Sequence, residues 1–456
     1  MTGSGKVEAS RSQGNLSTRL AALQAIRRIE HDSAFVDIVL SQLLERTHFE
    51  KRDRAFISEL VRGTIRWKKR LDWIVRQLLQ PPSRKCPDDI RWILWLGLYQ
   101  ILFMRIKTYA AVNESVDAAK SLVRGRWAGV VNAILRSYLR APDRVVYPDM
   151  RVDPVAGIAV RWSFPEWLVR RWITRWGIEK TTALCRASND VPVLSVRHNR
   201  LRCSTETFER RLSETMEFRP SIVPYFYRLA RTDFVTLSQL LDDGYLTVQD
   251  ESAGLPSLLA DPQPGTVICD LCAAPGGKAT HLAELCDEQA KIVAGDISVP
   301  RLHMVQHSVE RLSLRSVFPV SAEAQCFPVK TADIVLLDAP CSGLGVLRRK
   351  PDIRWRRTEQ DIEDLISMQK KLLLGASNLV TEGGSLIYST CTVEPEENEG
   401  VVDAFLSRHR EFRVVEPEEG LLPQTVIAGT GAVRTWPHEH DMDGSYAIRM
   451  KKVTMG

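Results

Sequence analysis

From Leu16 to about Leu139 the apolar residues recur three and four positions apart. They form groups such as Leu16, Leu20 and Leu23; Val36, Val39, Leu40 and Leu43; Leu71, Ile74, Val75 and Leu78; and Val130, Ile134, Leu135 and Tyr138. A period near 3.6 places each group on one helix face, so the first third of the chain is predicted to be a helical bundle. Pro81-Pro82 and Ala141-Pro142 break the pattern, the first as an internal connection and the second as a domain edge. Residues 143–245 are mixed. Helical spacing at 166–176, a strand at 193–196, a short helix at 205–215 and a strand at 225–229 predict a small α+β domain. After Gln249, apolar runs at 266–270, 291–296, 317–321, 333–337 and 385–389 alternate with helical spacing at 279–286 and 362–380. Such alternation predicts a parallel sheet covered by helices on both faces.

Composition adds limits. The 456 residues, 44% hydrophobic and 26% charged, suit two to four globular domains. The longest apolar stretch, 92–104, is shorter than the roughly 20 residues of a membrane helix and contains Gln100, so a buried helix is expected. Met1–Asn15 is rich in Gly and Ser and has no apolar core, which predicts a flexible tail and no secretory signal. A cytoplasmic protein is therefore expected. Nine cysteines without a regular framework point to free thiols in a reducing compartment. The net charge of +6 is unevenly spread: residues 1–150 carry 26 Lys/Arg against 15 Asp/Glu, and the rest 36 against 41. A basic first third suits a polyanion, although solvated helix faces give the same count.

In a doubly wound sheet, ligands bind beyond the carboxyl ends of the strands. Four of the five predicted strands reach Asp270, Asp296, Asp338 and Cys391 there, and the fifth ends near Glu323. The first loop, Asp270-Leu-Cys-Ala-Ala-Pro-Gly-Gly-Lys278, offers small residues and a helix amino end. It lacks the Gly and Ser/Thr positions of a P-loop and is not G-x-G-x-x-G. Asp296 follows Asp270 by 26 residues, a spacing that suits a carboxylate on a ribose. A small-residue loop with a ribose acid and no phosphate cradle fits a nucleoside-type cofactor such as S-adenosylmethionine. Gly-rich loops and strand-end acids also occur in many other α/β proteins. Cys269 and Cys272 form a C-x-x-C pair, but no second pair exists and one member falls inside a strand, so no metal is expected. Cys341 and Cys391 each follow an apolar strand directly, close to Lys278 and the Arg348-Arg349-Lys350 run, where positive charge favours a thiolate.

These segments, with Leu336-Leu-Asp-Ala-Pro-Cys-Ser-Gly343, Pro351-Asp-Ile-Arg-Trp355, Tyr388-Ser-Thr-Cys-Thr392 and Pro395-Glu-Glu-Asn398, resemble the RNA 5-methylcytosine methyltransferases of the Sun/Nop family. The likeness runs over nearly the whole chain and is nearest to the bacterial small-subunit (16S) ribosomal RNA branch. Glu59–Arg66 and Tyr109–Val116 look like the family's NusB-like RNA-binding domain. The resemblance implies a flexible tail at 1–15, a NusB-like all-α domain at 16–142, a small α+β RNA-binding or linking domain at 143–245, and a Rossmann-like class I methyltransferase domain at 246–456. It implies Cys391 as the nucleophile toward carbon 6 of cytosine and Cys341 as the thiol that assists release. Asp338 would contact the ring, and Lys278 would orient that carboxylate. S-adenosylmethionine would lie on Cys272, Ala273, Ala274, Pro275, Gly276, Gly277 and Lys278, near Asp338, with Asp296 on its ribose and Glu323 at its adenine. The implied partner of this monomeric chain is small-subunit ribosomal RNA, without membrane or metal. The same chemistry on transfer RNA or another ribosomal site, and a non-catalytic RNA-binding assembly factor, stand as rivals. Three positions depart from the family: Glu323 where Asp is usual, Ala279 where a hydroxyl residue is commoner, and Asp443-Gly-Ser-Tyr446 where a pair of aromatics is common.

Overall fold

A computed structural model describes residues 17–79, 86–122 and 127–454. The expected tail and the Pro81-Pro82 break lie outside these residues. The chain divides into two compact units: Met1–Cys185 with Lys350–Trp355, and Arg186–Arg349 with Arg356–Gly456.

The first unit is helical. Its elements are α1 (Thr18–His31), α2 (Val36–Arg46), α3 (Lys51–Leu78), α4 (Asp88–Phe103), α5 (Thr108–Leu122), α6 (Ala128–Arg140), α7 (Pro154–Trp162) and α8 (Glu166–Ala187), the last running two residues beyond it. Helix α4 contains most of the 92–104 apolar stretch and is buried all round from Trp92 to Gln100, as a central helix must be. Gln100 is satisfied there: its amide donates to Leu96 O at 3.0 Å and its carbonyl accepts from Arg19 Nε at 2.7 Å. Gly63 lets α3 approach α4 closely, since a Cβ there would lie 1.9 Å from the Tyr99 ring. The unit also takes in α7 and α8, where the hydrophobic pattern suggested an edge at Ala141-Pro142. Its last piece is the Pro-Asp-Ile-Arg-Trp segment. Asp352 accepts the Val36 amide at 3.1 Å, Trp355 donates its indole N–H to Ile65 O at 2.8 Å, and buried Arg354 lies 4.0 Å over the Phe164 ring. Among the described residues no helix is long and apolar enough to cross a membrane.

The second unit opens with an antiparallel sheet in the order β2-β3-β1-β4. It is built from β1 (Leu194–His198), α9 (Thr205–Ser213), β2 (Glu217–Pro220), β3 (Phe226–Arg231), α10 (Phe234–Asp242) and β4 (Leu246–Val248). There follow α11 (Glu251–Ala260), β5 (Val267–Asp270), α12 (Gly277–Leu285), β6 (Lys291–Asp296), α13 (Val299–Leu312), β7 (Val317–Ser321) and β8 (Ala332–Asp338). After α14 (Ile353–Arg356) come α15 (Glu359–Leu379), β9 (Val380–Thr390), α16 (Glu399–Leu406), β10 (Phe412–Val414), β11 (Val433–Thr435), α17 (Pro437–His440) and β12 (Ser445–Lys452). The large sheet runs β10-β12-β9-β8-β5-β6-β7, with β11 also on β12. Its faces are covered as alternation demands. Cys269, Val335 and Leu337 pack toward α15 and α16, whereas Ile268, Leu336 and Ile292 pack toward α12 and α13.

One expectation is corrected: the sheet is mixed, not parallel. Strands β9, β8, β5, β6 and β7 are parallel, but β12 runs antiparallel to β9, and β10 and β11 antiparallel to β12. Strands β10 and β11 have three residues each, too few for a period to show.

Candidate active site

Parallel pairing of β5, β8 and β9 brings their carboxyl ends to one edge. Asp270 closes β5, Asp338 closes β8, and Cys391 is the first residue after β9. Asp338 is held at both oxygens: Lys278 Nζ donates to Oδ2 at 2.6 Å and Ser389 Oγ to Oδ1 at 2.7 Å. Burial would lower the Lys278 pKa, but the Asp338 charge and hydrogen bond, with Asp270 and Cys391, raise it above the ordinary lysine value. The ammonium therefore stays charged beside Cys391.

The Cys341 and Cys391 sulfurs are 3.3 Å apart, within a thiol hydrogen bond. Cys391 is exposed and Cys341 half-buried. The hydrogen bond to Cys391, burial, the Cys391 charge and then the Glu397 carboxylate push the Cys341 thiol well above its usual range. Burial also holds Cys269 and Cys272 up to about 12 each, the reverse of what a nucleophile needs.

The loop 272–278 leads into α12 through Gly276, whose φ of +104° is a conformation suited to glycine. A cavity of about 370 Å³ lies against it, lined by Asp270, Cys272, Ala273, Ala274, Pro275, Gly277, Lys278 and Asp338, and by Thr247, Val248 and Gln249 from the end of β4. This volume is at the lower end of small-molecule sites. Gly276, Asp296, Glu323, Cys341 and Cys391 do not line it, and the thiols connect to it through Lys278 and Asp338, which do. Buried Asp296 is nevertheless tied to the loop: Arg301 Nη1 lies 3.5 Å from its Oδ2 and Arg301 Nη2 donates to Ala274 O at 2.9 Å. Glu323 is exposed, just before the Ala324–Cys326 turn.

The residues fit a cationic nucleoside cofactor. Both Asp270 oxygens are buried without an ordinary hydrogen-bond partner, and Asp270, Asp338 and Asp296 together raise the Cys272 thiol, so the loop lies in a field of carboxylates. A sulfonium or ammonium is what such a field favours. Burial, then the Asp338 charge, pushes Asp270 itself up to about 7.

Several residues escaped the sequence reading. Fully buried Arg197 of β1 forms a two-point ion pair with Glu284 of α12, at 2.8 and 2.7 Å, and donates to Gly277 O at 2.8 Å. Arg311 donates to Leu241 O at 2.6 Å and Leu246 O at 2.9 Å, fixing β4 beside the cavity. Partners 65 to 87 positions apart leave no local signal. The departure at Asp443–Tyr446 also finds a place. Asp443 Oδ2 accepts from Arg349 Nε at 2.8 Å, Gly444 N donates to Gly345 O at 2.9 Å, and Tyr446 pairs with Thr390 at the end of β9. That segment braces the loop after Cys341.

Comparisons with known proteins agree with this architecture. Residues 257–451 match the model of the 16S rRNA methyltransferase RsmB/F family, residues 16–140 the NusB family, and residues 164–225 a ferredoxin-like domain of RsmF/B-like methyltransferases. A probable ribosomal RNA small subunit methyltransferase B of Synechocystis sp. is 36% identical over 447 residues, covering 96% of this chain and 100% of the relative. The ribosomal RNA small subunit methyltransferase B of Cronobacter sakazakii is 34% identical, covering 92% and 94%. The crystal structure of PH0851 superposes with a TM-score of 0.76 at 26% identity, over 97% of this chain and 100% of that one. With relatives this similar matched along their full length, the chain belongs to the ribosomal RNA small subunit methyltransferase B family.

Proposed function

We propose that this protein methylates carbon 5 of a specific cytosine in small-subunit (16S) ribosomal RNA, using S-adenosylmethionine and a transient covalent bond from Cys391 to the base. The observation that carries this reading is the pair of sulfurs 3.3 Å apart at the ends of neighbouring parallel strands, beside the Lys278–Asp338 ion pair and the cavity at loop 272–278. When bound, the cofactor supplies an electrophilic methyl group. The relatives' names supply the RNA class.

Carbon 5 of cytosine is a weak nucleophile. The Cys391 thiolate adds to carbon 6, which makes carbon 5 electron-rich enough to take the methyl; the carbon 5 proton then passes to solvent water, and the electron pair it leaves breaks the carbon 6–sulfur bond and returns the thiolate. Lys278 stabilises the Cys391 thiolate, while Asp338, fixed by Lys278 and Ser389, is set to hydrogen-bond the ring as charge develops. Cys341, whose sulfur lies 3.3 Å from that of Cys391, is assigned to assist release. Loop 272–278, Asp296 through Arg301, and Glu323 are assigned to cofactor binding. The target base must leave its stack to reach the thiol. We place the reaction in the cytoplasm, where ribosomal RNA is made accessible.

The test is incubation with S-adenosylmethionine and small-subunit RNA lacking the mark, followed by mapping of new 5-methylcytosine. A single site, lost in Cys391→Ala and replaced by trapped protein–RNA adduct in Cys341→Ala, is expected. A mark in transfer RNA instead would overturn the substrate; no mark on RNA or subunits would favour an assembly factor.

A further inference from the structure

The Pro395-Glu-Glu-Asn398 motif touches neither the cavity nor the thiols' reacting edge, yet its last two residues are fully buried. Their side chains divide the two thiol loops between them. Glu397 Oε1 accepts the Ser342 backbone N–H at 2.7 Å and the Gln369 amide at 3.0 Å, and its Oε2 accepts the Ser342 hydroxyl. Gln369 Nε2 also donates to Pro340 O at 2.9 Å, so both neighbours of Cys341 are held. Asn398 does the same for Cys391: its Nδ2 donates to Thr392 O at 3.1 Å and its Oδ1 accepts the Thr390 hydroxyl. The two halves are joined by Ser342 Oγ, which lies 2.8 Å from Thr392 Oγ1, and Tyr388 Oη donates to Glu397 O at 2.6 Å.

We propose that Glu397 and Asn398 are positioning residues that set the spacing of Cys341 and Cys391, and that the Glu397 carboxylate, held on the N–H and hydroxyl of Ser342, disfavours negative charge on the adjacent Cys341. The proposal rests on the thiol reading above and adds what enforces it. Burial raises the Glu397 carboxyl above its ordinary value, and the three hydrogen bonds from Ser342 and Gln369 act the other way, toward the ionised, acceptor-only form. The charged and titratable groups facing Cys341 are Glu397 and Cys391, with Tyr388 of β9; Arg357 reaches only its carbonyl, at 3.4 Å. Of these, Glu397 is the fixed negative charge that opposes a Cys341 thiolate.

Two readouts separate positioning from support of the fold. In Glu397→Gln the volume stays and the charge goes, so Cys341 loses its proton more readily. The alkaline limb of the kcat profile is expected to move down by about one pH unit, with the KM for S-adenosylmethionine unchanged. Asn398→Ala removes no charge; kcat is expected to fall about tenfold or more with the alkaline limb in place. The second readout is the rate at which diamide, a thiol oxidant, closes Cys341 and Cys391 into a disulfide, followed by peptide mass. Measured at a pH above the alkaline limb, where thiol ionisation no longer limits the rate, closure should slow in both variants, and it needs no catalysis, so it tests the clamp even if Cys391→Ala proves active and the thiol reading fails. Should Glu397→Gln not fold, Ser342→Ala removes only the hydroxyl link and is expected to slow both closure and kcat. A folded Glu397→Gln enzyme with wild-type kcat, alkaline limb and closure rate overturns the proposal, as do wild-type values in Ser342→Ala.

Discussion

Burial, then the Asp338 charge, favours the neutral form of the Asp270 carboxyl. With its folded-state pKa pushed from 3.8 up to about 7, the unfolded chain releases this proton first as pH rises. Its contribution is therefore stability present below the unfolded pKa and lost between about pH 4 and 7. Each unit of the shift allows about 1.4 kcal/mol at most. Asp270→Asn is expected to flatten this part of the stability–pH curve, with higher thermal stability than the parent at pH 8 and little change at pH 4. An unchanged difference in melting temperature between the two pH values would exclude the assignment. The strand-end acid was visible in the sequence because a short apolar run stops at it. That its carboxyl is fully buried was not, since the strands and the Asp338 and Lys278 side chains around it come from distant parts of the chain.

Helix α12 and strand β12 show how elements are fixed by single long-range contacts. Arg197 of β1 reaches Glu284 and the Gly277 carbonyl at the first turn of α12, so the end of loop 272–278 depends on a residue 80 positions away. Removing one partner of a buried pair strands the other charge; Arg197→Met is expected to cost about 3–5 kcal/mol in urea unfolding. Gly345 lies against the residue that precedes β12: an added Cβ would lie 1.9 Å from Gly444 O and 2.8 Å from Cys391 O. Backbone cannot rotate away as a side chain can, so Gly345→Ala is expected to lose about 1–3 kcal/mol of stability and most methyl transfer. Retention of both would mean the Gly345–Gly444 contact is dispensable. The strands β5 to β9 were legible because both faces are buried, leaving apolar runs. Strands β10 and β11 were not, because three residues carry no pattern.

At the scale of the whole molecule, the basic first third and the acidic remainder make RNA binding an electrostatic question. Binding of the full chain to small-subunit RNA is expected to weaken steeply with salt, log K falling by about 0.7–0.9 per decade for each phosphate contact. A flat dependence in filter binding would remove the charge asymmetry from the account. By itself the sequence determined the helical first third, the α/β alternation, the glycine loop and the two strand-end cysteines, because periodicity and short motifs are local properties of the chain. Only the tertiary structure decided that the sheet is mixed, that Pro351–Trp355 belongs to the helical unit, that the thiols lie 3.3 Å apart, and that Glu397 and Asn398 hold them. Those facts depend on pairings between residues tens to hundreds of positions apart, and such pairings exist only once strand register and packing have brought the side chains together.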